Sequence, residues 1–126
     1  MTKVLIVDDS IIIQKELEKF FVNHMSFQVV GLGKDGNEAV ELYKMHKPDL
    51  VTLDITMPNK SGLEALEEIL KINPNAKVIM ISVLDERNKI SEAIAKGAVS
   101  YIVKPLKLHD ADDIEKMKSD ITRIKA

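Results

Sequence analysis

Asp54 is the residue around which the chemistry of this chain can be organised, because its carboxylate comes directly after the apolar stretch of residues 50–53. Pro58 and Gly62 follow it, and they indicate that the strand gives way to a loop, since proline cannot extend a ladder and glycine suits unusual φ values. An aspartate in this setting can act as a nucleophile, a metal ligand or a structural cap. Which of these roles applies depends on what the rest of the chain brings beside it.

Three other apolar stretches are also followed by residues that can do chemistry. These are Asp8 and Asp9 after residues 4–7, Ser82 after residues 78–81, and Lys104 after residues 98–103. Continuous apolar runs of this length are typical of strands that are buried on both faces, as in a parallel sheet. The carboxyl ends of such strands meet at one edge, which is where open α/β sheets bind ligands. We therefore expect these side chains to converge.

Converging carboxylates create a need for a cation. Packed acids repel one another and resist ionising together, whereas Mg²⁺ takes one or two carboxylates, keeps several waters and completes its shell with phosphate oxygens. The three histidines lie away from these strand ends, so a zinc site is not expected. A metal, the charge of Lys104 and the hydroxyl of Ser82 form a set that suits phosphoryl transfer. Asp54 is then the candidate nucleophile, forming an acyl phosphate.

Each of these residues also has an ordinary structural interpretation. The acids at positions 8 and 9 could cap the first helix, a serine after a strand is commonly a cap, and a lysine before a proline is commonly solvated. The occurrence of all of them at the ends of four separate buried strands favours the functional interpretation. The acidic pairs Glu67-Glu68 and Asp85-Glu86 are interpreted as solvated faces.

The elements that must position these residues alternate along the chain. Strand patterns cover residues 4–7, 27–32, 50–53, 78–81 and 98–103, and helical patterns cover about 11–24, 37–46, 62–72, 86–96 and 112–124. Ser10 is the expected N-cap of the first helix, whose inward positions are Ile12, Leu17, Phe20 and Phe21. This alternation predicts an α/β fold with a parallel sheet and helices on both faces.

Composition sets the remaining limits. With 126 residues, 45% of them hydrophobic, the chain is predicted to form one domain, residues 1–126, with a single core. A net charge of −2 gives no bulk electrostatic reason to bind nucleic acid. The absence of cysteine excludes disulfides and thiolate metal sites. The first apolar run is too short for a signal peptide, and no run approaches the about 20 residues of a membrane span, so we expect a soluble, cytoplasmic protein.

Taken together, these residues resemble the response-regulator receiver family over nearly the whole chain. The similarity rests on Asp8-Asp9, the segment Asp54-x-x-Met57-Pro58-x-x-x-Gly62, Ser82, Tyr101 and Lys104-Pro105. It implies a flavodoxin-like, doubly wound sheet of five parallel strands in the order 2-1-3-4-5, flanked by five helices. In the sequence around Asp54 and in its single-domain length, the chain is most similar to stand-alone chemotaxis regulators.

The resemblance implies a role for each matching residue. Asp54 is expected to accept a phosphoryl group from a sensor histidine kinase. Mg²⁺ is expected to bind the side chains of Asp9 and Asp54 and the backbone carbonyl of Thr56, with Asp8 acting through water. Lys104 is expected to pair with the phosphoryl oxygens, Ser82 to hydrogen-bond them, and Tyr101 to move inward with Ser82. The Lys104-Pro105 peptide is expected to be cis.

The same resemblance implies a phosphoacceptor that turns over no separate substrate. Its signal is expected to leave through the face made by helix 4, strand 5 and helix 5, toward a protein such as a flagellar motor or another effector. Direct contact with nucleic acid or membrane is not expected, and the chain is expected to be monomeric. Val83 is bulkier than the small residue that the family usually carries after the Ser82 position, and residues 106–126 match only loosely.

Three other functions stay open on the sequence. The chain could be a receiver domain cut from a longer transcriptional regulator, which leaves its chemistry unchanged. It could be an aspartate-nucleophile phosphatase of the haloacid dehalogenase type, although that site wants a second acid where this chain has Thr56. It could also be a flavodoxin-like cofactor binder, which would want a phosphate-binding loop after the first strand, in place of two repelling acids.

Overall fold

Strands and helices alternate throughout the chain, of which the computed structural model describes residues 1–83 and 86–125. In chain order the elements are β1 Lys3–Val7, α1 Ile11–Met25, β2 Gln28–Gly33, α2 Gly36–His46, β3 Leu50–Asp54, α3 Gly62–Ile72, β4 Val78–Val83, α4 Arg87–Lys96, β5 Ser100–Lys104 and α5 Ala111–Lys125. Asp85, which the sequence analysis places on a solvated face, lies outside the described residues. No helix in the described part of the chain has the length and apolar character needed to cross a bilayer.

The five strands form one parallel sheet in the order β2-β1-β3-β4-β5. This confirms the predicted fold class, a doubly wound α/β sheet flanked by five helices. β3 is the middle strand, and all five of its residues are buried. Every strand therefore points its carboxyl end toward the same edge as Asp54.

Two apolar layers cover the two faces of the sheet. Leu5 and Leu53 belong to the layer that packs against α2, α3 and α4, whereas Ile6 and Leu50 belong to the layer beneath α1 and α5. The alternation along each strand follows the period of two that a pleated strand requires. A slip of one residue would exchange the two faces, so the packing of each set of side chains against its own helices favours the observed register.

The strands reach further toward that edge than the sequence pattern predicts. β4 includes Ser82 and Val83, and β5 includes Lys104 as its last residue. Their pairing explains the extension, because Ser82 is in register with Val103 and Val83 with Lys104. Ser82 and Lys104 are thus held by the sheet itself. The Lys104-Pro105 peptide that follows is cis, as expected.

The buried face of α1 differs from the prediction at one position. Ile12 is predicted to face inward, but it is 71% exposed. Gln14 is buried in its place, and its Nε2 donates to the carbonyl oxygens of Asp8 at 2.7 Å and Gly33 at 2.9 Å. An amide that satisfies two strand-end carbonyls sets the rotation of the helix, so a hydrophobicity pattern alone misplaces its first turn.

Candidate functional site

Three carboxylates meet at the carboxyl edge of the sheet. Asp8, Asp9 and Asp54 each offer an oxygen, and these oxygens lie within 4.8 Å of one another. Asp8 and Asp54 are buried, whereas Asp9 is exposed. Asp8 is oriented by the backbone amide of Ser10, which donates to its Oδ1 at 2.9 Å. The site is therefore an acidic pocket with two buried carboxylates and one that faces solvent.

Lys104 supplies the positive charge at this pocket. Its Nζ lies 3.0 Å from Asp8 Oδ2 and 3.5 Å from Asp54 Oδ2, and 18% of its side chain is exposed. Burial would lower the pKa of Lys104, but the bond to Asp8 and the charges of Asp54 and Asp8 outweigh it and raise that pKa. The lysine therefore stays charged beside both buried acids.

The acids disfavour one another's ionisation. Burial raises the pKa of Asp54 to about 7, and the neighbouring charge of Asp8 adds to this effect, while Lys104 opposes it. One ammonium group faces three carboxylates, so the pocket carries excess negative charge when all of them are ionised. A hard divalent cation that prefers carboxylate oxygens removes this cost, and the donor set fits such an ion.

Ser82 brings a hydroxyl to the same edge. Asp54 is in register with Ile81, so Ser82 lies one residue further toward the carboxyl edge on the neighbouring strand. Its side chain is fully buried, and within residues 1–83 and 86–125 its Oγ has no hydrogen-bond partner. A buried hydroxyl without a partner is costly, so Ser82 is well suited to bond a polar group that arrives at this edge.

The loop after β3 is held tightly against Asp54. A Cβ atom added at Gly62 would lie 2.0 Å from the carbonyl oxygen of Asp54, and the Gly62 amide donates to the Ile55 carbonyl at 2.7 Å. The expectation that this glycine serves an unusual φ is wrong, because the positive φ values in this loop belong to Asn59, at 67°. Gly62 is needed for close approach of the backbone, which makes the turn behind Asp54 compact.

The connection between β2 and α2 is hydrogen-bonded to the loop after β3. Asn59 Nδ2 donates to Asp35 Oδ2 at 2.9 Å, and the Gly36 amide donates to the Lys60 carbonyl at 2.9 Å. The amide of Glu38, followed by Asn59, lowers the pKa of Asp35, which also caps α2. Nothing in the local sequence indicates that this Asp-Gly pair contacts the loop after β3.

Glu86 is more buried than the sequence pattern predicts. Only 14% of its side chain is exposed, so its assignment to a solvated face is wrong. Its carboxylate accepts hydrogen bonds from the Thr56 hydroxyl and, at 3.1 Å, from the Val83 amide. Burial opposes ionisation, but these two bonds and the nearby Lys89 lower the pKa of Glu86. The acidic pair at 85–86 therefore resembles a surface pair in sequence, while its second member lies beside the pocket.

Tyr101 lies on the outer side of the fold. It is 50% exposed and, with Val103 from β5, it lines an apolar groove of about 720 Å³ against α4. The side chains of Ile90, Ile94 and Arg87 form the other wall. Tyr101 and Val103 project to one pleat face and Lys104 to the other, as strand alternation requires. The structure thus separates Tyr101 from the acidic pocket but places both on the same strand.

Comparisons with known proteins agree with this geometry. Residues 4–116 match the family described as response regulator receiver domain. A chemotaxis protein CheY from Thermotoga maritima is 47% identical over 103 residues, covering 82% of this chain and 85% of that protein. A CheY from Listeria monocytogenes is 48% identical over 105 residues, covering 83% of this chain and 87% of that protein. A chain in the crystal structure of a CheX–CheY–BeF₃–Mg²⁺ complex from Borrelia burgdorferi is 38% identical, with a TM-score of 0.88. The match covers 99% of this chain and 90% of that chain.

Proposed function

Because this chain belongs to the response regulator receiver family, we propose that it is a cytoplasmic chemotaxis-type response regulator that accepts a phosphoryl group on Asp54. The observation that carries the proposal is the buried Asp54 carboxylate, with those of Asp8 and Asp9 and the Nζ of Lys104 gathered around it. We treat residues 1–126 as one receiver domain, with a histidine kinase upstream and a flagellar motor or another effector downstream.

The acidic pocket is proposed to hold Mg²⁺ through Asp9, Asp54 and the backbone carbonyl of Thr56, with Asp8 acting through water. When bound, the ion neutralises the packed acids and the charge of the phosphoryl oxygens. The donor set supports this assignment, because these are oxygen ligands at a site where burial and like charge raise the pKa of Asp54. Ionised Asp54 is the form that can attack phosphorus.

The phosphotransfer step follows from this placement. An oxygen of Asp54 forms a bond to the phosphorus of a phosphohistidine, while the phosphorus–nitrogen bond breaks and its electron pair returns to the histidine ring, which takes up a proton. Lys104 presents positive charge where the phosphoryl oxygens arrive, and Ser82 offers the free hydroxyl. The chain thereby catalyses only its own phosphorylation and dephosphorylation.

Magnesium should raise the melting temperature of the protein, because an ion that binds only the folded chain stabilises it by mass action. Asp9→Ala should abolish this increase, since it removes the exposed carboxylate of the pocket. Thermal unfolding with and without millimolar Mg²⁺ measures both effects. Asp112→Ala, which removes an exposed acid from α5, serves as the control and should keep the full increase. An undiminished increase in Asp9→Ala would contradict the metal assignment.

The output surface is proposed to be the face of α4, β5 and α5 around Tyr101. The apolar groove beside this tyrosine gives a partner a surface to fill, and its strand carries Lys104 at the pocket. A tyrosine that turns inward when Ser82 moves would change the shape of that groove. Partner affinity and phosphorylation are then coupled, typically by about 5- to 150-fold, and the coupling is reciprocal.

Amide chemical shifts during titration with beryllofluoride, at a fixed Mg²⁺ concentration, test this function. Beryllofluoride is a phosphoryl mimic, so it should shift amides around Asp54 and, beyond the pocket, around Tyr101 on the output face. The same titration of Asp54→Asn should leave both regions unchanged. If the largest remote shifts fell on α1, the output face would be assigned wrongly, and if the pocket itself gave no shifts, the phosphoacceptor function would be wrong.

The phosphatase alternative finds no support in the site. The position two residues after Asp54, where that enzyme class carries a second acid, is Thr56, whose hydroxyl donates to Glu86. Asp54 also ends the third strand of the chain and not the first. We therefore propose no hydrolysis of a separate substrate.

A further inference from the structure

The Glu86 carboxylate joins the two backbone segments that flank the acidic pocket. One of its oxygens accepts from the Thr56 hydroxyl, and the other accepts from the Val83 amide at 3.1 Å. Thr56 lies two residues after Asp54, and Val83 comes directly after Ser82. A single side chain therefore ties the loop after β3 to the end of β4.

This contact is not a helix cap. Glu86 is the N-cap residue of α4, a position where a Ser, Thr, Asp or Asn side chain commonly accepts from an amide of its own helix. Its side chain makes no such bond to α4. Lys89 instead lies beside both ends of the contact, with its Nζ 3.7 Å from the carboxylate and 3.4 Å from the Thr56 hydroxyl. The carboxylate is directed toward Thr56 and Val83, away from the amides of α4, and Lys89 partly balances its charge.

The contact with Glu86 restrains the end of β4. The Ser82 hydroxyl is buried and has no partner within residues 1–83 and 86–125, so a phosphoryl oxygen on Asp54 offers it a bond that the unmodified pocket does not. Movement of Ser82 toward that oxygen displaces the Val83 amide, because the two residues share a peptide bond. The Glu86 carboxylate holds this amide by a charge-assisted hydrogen bond, and such bonds are roughly twice as strong as neutral ones. The two pairings therefore compete.

We propose that Glu86 is a positioning residue that holds the loop after β3 and the end of β4 in the unphosphorylated arrangement. Its release accompanies the pairing of Ser82 with a phosphoryl group on Asp54. An interaction that is made in only one of two states shifts the equilibrium toward that state, so Glu86 weakens the binding of a phosphoryl mimic. This inference rests on the proposed function and deepens it, because it names a residue outside the acidic pocket that opposes the change to the phosphorylated arrangement.

The dissociation constant of beryllofluoride, measured at fixed Mg²⁺, tests the inference. Glu86→Ala should bind the mimic about five- to tenfold more tightly, at the lower end of typical coupling. Thr56→Val keeps the backbone carbonyl and the shape of the side chain but loses the hydroxyl, so it should tighten binding by a smaller factor. Glu86→Gln should fall between wild type and Glu86→Ala, because its amide oxygen still accepts but carries no charge.

The double variant tests whether the hydrogen bond between Thr56 and Glu86 carries the effect. Because Thr56 and Glu86 share one hydrogen bond, the effect of Glu86→Ala with Thr56→Val should be smaller than the product of the two single effects. Glu92→Ala, which removes an acid from the exposed side of the same helix, should bind the mimic like wild type. If Glu86→Ala folds poorly, Thr56→Val and Glu86→Gln carry the test.

Two results would overturn the inference. These are unchanged or weaker binding by the Glu86 and Thr56 variants, and single effects that multiply fully in the double variant. A third result has a separate meaning, since failure of the wild-type chain to bind beryllofluoride would overturn the proposed function on which the inference depends. Melting temperatures of every variant without Mg²⁺ distinguish a change in switching from a general loss of stability, because a structural defect lowers stability without tightening binding.

Discussion

Replacement of Asp54 by asparagine should abolish phosphoryl transfer to this protein. An amide presents no ionised oxygen to attack phosphorus, while it keeps nearly the same shape at the end of β3. Incubation with a phosphorylated histidine kinase should therefore label the wild-type chain to near stoichiometry and leave Asp54→Asn at background. Mass spectrometry of peptides from the labelled protein should place the phosphoryl group on Asp54.

A matched control lies just before the same strand. Asp49 comes directly before β3, at the edge opposite the pocket, and accepts a hydrogen bond from the Lys3 amide at 2.8 Å. Asp49→Asn should be labelled like wild type. Label that persists in Asp54→Asn would show that another residue accepts the phosphoryl group, with Asp8 and Asp9 as the nearest carboxylates.

Replacement of Lys104 by alanine should separate phosphorylation from signalling. Lys104 Nζ is within 3.5 Å of an oxygen of both buried acids, and it lies at the end of the strand that carries Tyr101. Without its charge, the phosphoryl group loses its direct link to β5. The variant should still accept phosphate, more slowly, but phosphorylation should no longer increase its affinity for the partner. The expected loss is the whole coupling, which is typically about 5- to 150-fold.

Partner binding measured with unmodified and phosphorylated chains checks this result. Lys44→Ala removes an exposed lysine from α2, away from β5, and should keep the full difference between the two forms. The Lys104→Ala chain should be compared at equal levels of phosphorylation, so that slow transfer is not mistaken for lost coupling. A normal increase in partner affinity on phosphorylation of Lys104→Ala would contradict the assigned role.

The apolar runs of this chain determine its sheet and the position of its acidic pocket. Runs that are buried on both faces predict parallel strands, and parallel strands place their carboxyl ends at one edge. Asp8, Asp9, Asp54 and Lys104 could therefore be brought together from sequence alone, because each one is adjacent to such a run. Their chemical roles are a prediction that the labelling and binding experiments test.

The tertiary structure decided the features that depend on contacts between distant segments. Thr56 and Glu86 are 30 residues apart, and Asn59 and Asp35 are 24 apart, so no local period reports either contact. Gly62 is required by the carbonyl oxygen that its missing Cβ would strike, which is a property of the folded loop. Burial of Gln14 in place of Ile12 has the same origin, because the carbonyl oxygens that Gln14 satisfies belong to two separate strand ends. Hydrophobic period identifies elements, whereas polar contacts between elements exist only after packing has brought them together.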